Sequence, residues 1–221
     1  MKVGTDGILL GAWVNVPTNV QILDIGTGTG LLALMLAQRS QTSAITKIDA
    51  VEIDYAAYRQ AQDNIQNSPW GDRINIYHGK IQDFAVTCPK QYDLIISNPP
   101  FFEKAYKASE TSRTLARHSD SLLQTDILHI ASRLLKLDGH LAVIYPTDLA
   151  HKFLSKARDF GLWCDRQVNI KPIPHSHIKR IALELSKTQS PPQETTLTIE
   201  ESKHIYTEDY ISLVKDFYLN L

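Results

Sequence analysis

The chain has 221 residues, 43% of them hydrophobic, and 23 Lys and Arg against 24 Asp and Glu leave a formal net charge of −1. That length holds one sizeable core, so residues 1–221 are expected to form a single domain; the near-neutral balance excludes a globally basic nucleic-acid coat, and any nucleic-acid contact has to come from a local patch. Cys88 and Cys164 lack metal-ligand spacing, and neither a secretion leader nor a run of about 18 apolar residues occurs, so a cytoplasmic protein with reduced thiols and no membrane span is expected.

Met1-Lys2-Val3-Gly4-Thr5-Asp6-Gly7-Ile8-Leu9-Leu10-Gly11-Ala12-Trp13 is dense and motif-like from its first residue. A natural amino terminus is usually looser. Thr5 or Asp6 would cap a helix that turns Leu9, Leu10 and Trp13 inward. Val20 to Ile25 then reads as a strand containing Asp24, followed by a turn with Gly26, Gly28 and Gly30 and an apolar helix from Leu31 to Ala37. Alternate glycines permit positive φ and let a ligand approach the backbone closely. The G-x-G-x-G spacing differs from the G-x-G-x-x-G of dinucleotide folds. A pyrophosphate prefers bare N–H groups, whereas a carboxylate beside the loop favours a ligand carrying an ammonium, such as a methionyl group.

Ile48 to Asp54 reads as the second strand, with Glu52 placed about 20 residues after the loop, where a carboxylate accepts both hydroxyls of a ribose. The plain alternative for Glu52 is a solvated strand end. Asp54 is placed to cap a helix from Tyr55 to Gln66 supported by Ala56, Ala57, Ala61 and Ile65. A third strand, Arg73 to His78, leads into Gly79-Lys80-Ile81-Gln82-Asp83-Phe84.

The fourth strand pattern, Asp93-Leu94-Ile95-Ile96-Ser97, stops at Asn98 because Pro99 and Pro100 have no N–H for a ladder. Asn98 thus stands at a carboxyl edge, where open α/β sheets bind ligands. Its side-chain carbonyl, the Pro99 backbone carbonyl and the Phe101 ring offer two acceptors and a stacking plate, which suit a planar group bearing an exocyclic amine. On adenine that amine is a poor nucleophile, since its lone pair is delocalised into the ring. Two acceptors holding its hydrogens favour the pyramidal, attacking geometry, and no strong general base is needed. The plain alternative is a β-turn with a core Phe.

Asn-Pro-Pro-Phe after a hydrophobic strand is the amino-group methylation motif of class I S-adenosylmethionine-dependent methyltransferases, which the chain resembles over nearly its whole length. Both ends, MKVGTDGILLGAW and YTEDYISLVKDFYLNL, resemble the bacterial tRNA1(Val) adenine N6-methyltransferase family, in which a short stretch precedes the first of them, so the resemblance implies a shortened start with a missing short leader. The resemblance implies a Rossmann-like α/β fold: a seven-stranded, mostly parallel sheet with one antiparallel strand and helices on both faces. It implies S-adenosylmethionine as cofactor, tRNA as partner and N6 of adenine 37 as target. Asn98, Pro99, Pro100 and Phe101 would form the catalytic turn, with Lys2, Gly4, Thr5 and Asp6 near the methionine moiety. Asp24, Gly26, Gly28, Gly30, Glu52, Ile53 and Asn98 would complete the cofactor contacts, Asp83 would accept from the cofactor's adenine amine, and Ile81 or Phe84 would cover a ring face or simply be core.

Phe102 to Ser119 is polar, with Lys104, Lys107, Arg113, Arg117 and His118 against Glu103 and Glu110. This local excess of cations suits RNA phosphates, or else a solvated loop; in the family it resembles, the region is a substrate-side flap. Ser121 to Lys136 reads as a helix, Asp138-Gly139 as a turn and Leu141 to Tyr145 as the fifth strand. Thr147 is placed to cap a helix that stops before Gly161. Strand patterns from Leu162 to Ile170 and from Ile178 to Leu185 flank a proline-stiffened connection, beside which Lys179 and Arg180 offer a second basic edge. His175 and His177 lack a third ligand, so no metal is expected. Ser186 to Thr196 reads as an exposed link, Leu197 to Ile199 as a short strand, and a last helix opens near Tyr206.

Similar tetrapeptides serve glutamine methylation in release factors, guanine N2 methylation in ribosomal RNA and DNA adenine methylation. A release-factor enzyme would carry a further helical domain and a DNA enzyme a target-recognition insert, for which 221 residues leave no room. A non-catalytic cofactor-binding module is the remaining alternative. No coiled-coil pattern is present, so a monomer is expected.

Overall fold

The computed structural model describes residues 4–41, 46–100 and 123–219. Eight strands form the main sheet: β1 (Gln21–Ile25), β2 (Lys47–Glu52), β3 (Ile74–His78), β4 (Tyr92–Ser97), β5 (Leu135–Pro146), β6 (Trp163–Lys171), β7 (Arg180–Ser186) and β8 (Gln193–Thr198), in the order β3-β2-β1-β4-β5-β7-β6-β8. β1 to β5 are parallel, β7 runs antiparallel to both β5 and β6, and β8 returns parallel to β6. β7 is therefore the one reversed strand, as expected.

The helices are α1 (Thr5–Trp13), α2 (Leu31–Arg39), α3 (Tyr55–Gln66), α4 (Ile81–Thr87), α5 (123–134), α6 (Thr147–Ala157) and α7 (Glu208–Val214). Neighbouring strand residues point to opposite faces, and both faces are covered. Ile22, Ile48, Leu94 and Ile96 pack with α1, α2, α3 and α7, whereas Leu23, Ile25 and Ile95 pack with α4, α5 and α6. This double burial explains the adjacent apolar residues Ile22-Leu23 in β1 and Leu94-Ile95-Ile96 in β4.

The chain builds outward from β1 through β2 to β3, then restarts on the other side with β4. β1 and β4 meet at this switch point, the place at the carboxyl edge where open α/β sheets bind ligands. The Ser97 hydroxyl donates to the Ile25 carbonyl at 2.8 Å and pins the two strand ends together.

Four expectations are corrected. The sheet has eight strands rather than seven because Gln193 to Thr196, read as a polar link, pairs with β6 through its backbone at the exposed edge, where no apolar pattern is required. The N-cap of α1 is Gly4 with no side-chain cap, so neither Thr5 nor Asp6 serves there. Thr147 is already helical, with Pro146 as N-cap, and its hydroxyl donates to the Ile178 carbonyl at 2.7 Å. The helix expected to reach Lys136 ends at 134, and Asp138-Gly139 lies within β5, where the register jumps from Leu135 opposite Tyr92 to His140 opposite Leu94.

Candidate active site

The turn after β1 needs its glycines: φ is +69° at Gly26, +61° at Gly28 and +84° at Gly30, the left-handed region closed to most side chains. The N–H groups of Gly26 and Thr27 donate to the Val51 carbonyl at 2.9 and 3.1 Å. Glu52, at the end of β2, is 7% exposed. Its Oε2 accepts from the Gly28 N–H and its Oε1 from the Asp54 N–H, each at 2.8 Å. Carboxylate oxygens have two lone pairs each, so both retain capacity for a hydroxyl donor. Ile53, the next residue, is 62% exposed. The Asp54 side chain caps α3 by accepting from Ala57 N–H at 2.8 Å, as its position predicts.

Asp24 is fully buried beneath this turn. Its Oδ2 accepts from the Thr27 hydroxyl at 2.5 Å, while its Oδ1 has no hydrogen-bond partner among the described residues. Burial pushes the carboxyl up to about 7; the Thr27 hydroxyl and the Ala33 N–H oppose the rise and the Glu52 charge adds to it. A buried acceptor left open is costly, and a ligand that brings a donor relieves it.

Asn98 is half-buried beyond β4, Pro99 is buried and Pro100 exposed. The first turn of α1 lies against Asn98. A Cβ on Gly7 would stand 3.4 Å from Asn98 Nδ2 and 3.2 Å from Leu31 Cδ2, so a bare hydrogen at Gly7 lets α1 approach both Asn98 and the residue that follows the glycine turn. The structure thus brings together Asn98, Pro99, the glycine turn, Asp24 and Glu52.

Gly4 and Thr5 are exposed at the start of α1, and Asp6 is half-buried and bonded to Arg180, its Oδ2 accepting from Nε at 2.8 Å. Asp83 is exposed in the first turn of α4. Phe84 is half-buried, packs against the core and meets the Tyr77 ring at 5.0 Å. Lys179 is exposed. Lys2, Phe101, Lys104, Lys107, Arg113, Arg117 and His118 lie outside the described residues. Sequence reasoning missed Gly7, Thr27, Ser97 and His78, whose Nε2 lies 3.2 Å from the Ile53 carbonyl. Only Gly7 carried a signal, since glycine inside a helix is unfavourable unless something must come close.

A ligand crevice at the β1/β4 switch point of such a sheet, walled by an Asn-Pro-Pro turn, is the architecture of class I methyltransferases. Residues 4–157 match the model of the methyltransferase small domain, and the chain belongs to that family. It is 54% identical, over 99% of its length and 91% of the relative's, to the tRNA1(Val) (adenine(37)-N6)-methyltransferase of Trichodesmium erythraeum. The protein of that name from Flavobacterium psychrophilum is 46% identical, over 100% of this chain and 94% of its own. A solved structure, a predicted O-methyltransferase from Agrobacterium tumefaciens, shares the fold with a TM-score of 0.70 at 18% identity, over 96% of both chains. Among the described residues no helix is long and apolar enough to cross a membrane, and no cluster of three His, Cys, Asp or Glu stands ready for a metal ion.

Proposed function

We propose that this chain transfers a methyl group from S-adenosylmethionine to N6 of adenine 37 in tRNA1(Val). The observation that carries the reading is Asn98-Pro99 at the switch point, beside a glycine turn backed by Asp24 and Glu52. Full-length identity to relatives bearing that name supports the choice of substrate.

The residues present fit the cofactor. The open Asp24 Oδ1 suits the methionyl ammonium, the spare lone pairs of Glu52 suit two ribose hydroxyls, and the exposed Ile53 side chain suits one face of a purine. Phe84 borders the other side and Asp83 accepts from the purine amine, while Lys2, Gly4 and Thr5 stand at the methionine end. When bound, S-adenosylmethionine supplies an electrophilic methyl carbon on a sulfonium.

Asn98 Nδ2 lies on the Gly7 side, and Oδ1 would accept one hydrogen of the target amine. The Pro99 carbonyl accepts the second hydrogen. Held this way, the amine nitrogen would be free to attack the methyl group that S-adenosylmethionine would supply, and the proton it gives up would pass to solvent. Phe101 stacks on the flipped adenine. Pro100 keeps the turn from extending the sheet. Lys104, Lys107, Arg113, Arg117, His118 and Lys179 take RNA phosphates, and the enzyme works as a cytoplasmic monomer.

The test is methyl incorporation from labelled S-adenosylmethionine into unmodified tRNA, unmodified ribosomal RNA, duplex DNA and a release factor, with nucleoside analysis. N6-methyladenosine in tRNA alone is the expected result; label in any other acceptor replaces the proposed substrate.

A further inference from the structure

α1 is fastened at both ends. Beyond its carboxyl end, Glu184 Oε1 of β7 accepts the Asn15 N–H at 2.8 Å. Arg166 of β6 donates from Nη2 to the Trp13 carbonyl at 2.9 Å, with its guanidinium 4.4 Å from the Trp13 ring centroid. At the amino end, Arg180 Nε donates to Asp6 Oδ2 at 2.8 Å, and both side chains are only 21% exposed. Arg180 opens β7 in register with Pro146 of β5 and Ile170 of β6, so its backbone is held by strands on both sides. Its Nη1 donates to the Lys179 carbonyl at 3.1 Å. Asp6 immediately precedes Gly7, where an added Cβ would stand 3.4 Å from Asn98 Nδ2 and 3.2 Å from Leu31 Cδ2.

We infer that Arg180 is a positioning residue. Through Asp6 it seats the first turn of α1 against Asn98 and the end of the glycine turn, and so sets the distance between methyl donor and target amine. The inference rests on the role proposed above for Asn98 and the glycine turn. The sequence places Arg180 on a basic edge suited to an RNA phosphate. Its charge is instead offset by an intramolecular carboxylate, which a phosphate would have to displace from a half-buried site. An anion in the first turn of α1 also complements the positive end of the helix dipole, so Asp6 is doubly held. A displacement of about 1 Å at a reacting centre costs up to about 100-fold in rate.

The test compares the full chain with Arg180→Gln, Asp6→Asn and the charge swap Asp6→Arg with Arg180→Asp, below the Tm of each. Binding of S-adenosylhomocysteine is read by calorimetry, kcat and KM for tRNA by methyl transfer, and tRNA affinity as a function of salt. Both single variants are expected to lose about tenfold in kcat and to bind S-adenosylhomocysteine more weakly, with KM for tRNA and the salt slope unchanged, and the swap to recover most of the loss. A raised KM for tRNA and a salt slope lowered by about one in Arg180→Gln, with S-adenosylhomocysteine affinity intact, would make Arg180 a phosphate ligand and overturn the inference. So would Asp6→Asn behaving as the parent. If the swap does not fold, the two single variants still decide. If the parent fails to methylate tRNA, the proposed substrate falls, while calorimetry still reads the ion pair.

Discussion

Glu52 holds Gly28: Oε2 accepts the Gly28 N–H at 2.8 Å while Oε1 accepts that of Asp54, also at 2.8 Å. One carboxylate thus ties the turn after β1 to the turn after β2 and is locked before any ligand arrives. Glu52→Ala removes the proposed ribose acceptor and leaves the Gly28 N–H without its partner. S-adenosylhomocysteine binding is expected to weaken by roughly 1–3 kcal/mol, the value of a hydrogen bond to a charged group. Calorimetry measures it, and an unchanged Kd would exclude the ribose role.

Asp24 predicts a pH dependence. Its carboxyl rises from an ordinary 3.8 to about 7 through burial. The native state therefore holds more protons than the unfolded chain between those values, and stability is lost as pH climbs through them. Asp24→Asn removes the ionisation and should stabilise the cofactor-free protein more at pH 8 than at pH 5, while weakening cofactor binding at both. The comparison of the two pH values cancels the loss of the Thr27 bond. Thermal unfolding checks it; a larger gain at pH 5 would show that the carboxylate is already compensated.

Gly7→Ala separates stability from activity. Within a helix the exchange is intrinsically favourable by about 0.5–1 kcal/mol. The new methyl, however, would lie 3.2 Å from Leu31 Cδ2 and 3.4 Å from Asn98 Nδ2, so these side chains must give way. Tm is expected to hold or rise while kcat falls several-fold. Unchanged kcat would mean that the position of Asn98 tolerates the shift.

Gly139→Ala tests the fold away from the site. A Cβ there would stand 2.8 Å from the Tyr92 carbonyl oxygen and 3.2 Å from that of Asp93. Backbone cannot step aside as a side chain does, so a loss of about 1–3 kcal/mol is expected by urea denaturation. A neutral result would mean that β5 can lift from β4 at its register jump.

What was legible in the sequence was local. The strand stop at Asn98-Pro99-Pro100, the alternate glycines, the Asp54 cap and the bounds of α3 each follow from a few adjacent residues, and the structure reproduces them. What escaped depends on partners far along the chain. Asp6 and Arg180 are 174 positions apart, and nothing in either neighbourhood announces their pairing. Thr147 looks like a cap until the chain before β7 brings the Ile178 carbonyl to its hydroxyl. β8 escaped for another reason: an edge strand pairs through its backbone, and exposed side chains leave it no apolar signature.

The central claim is that Asn98 presents the target amine to the methyl donor. Its most direct test is the rate of N6-methyladenosine formation in unmodified tRNA by the parent and by Asn98→Ala, with S-adenosylhomocysteine affinity measured on both. The account predicts that the variant binds the cofactor product within about twofold of the parent and loses methyl transfer by roughly 100-fold or more, as expected for removing an interaction made at the reacting centre. Methyl transfer that survives the substitution would contradict it.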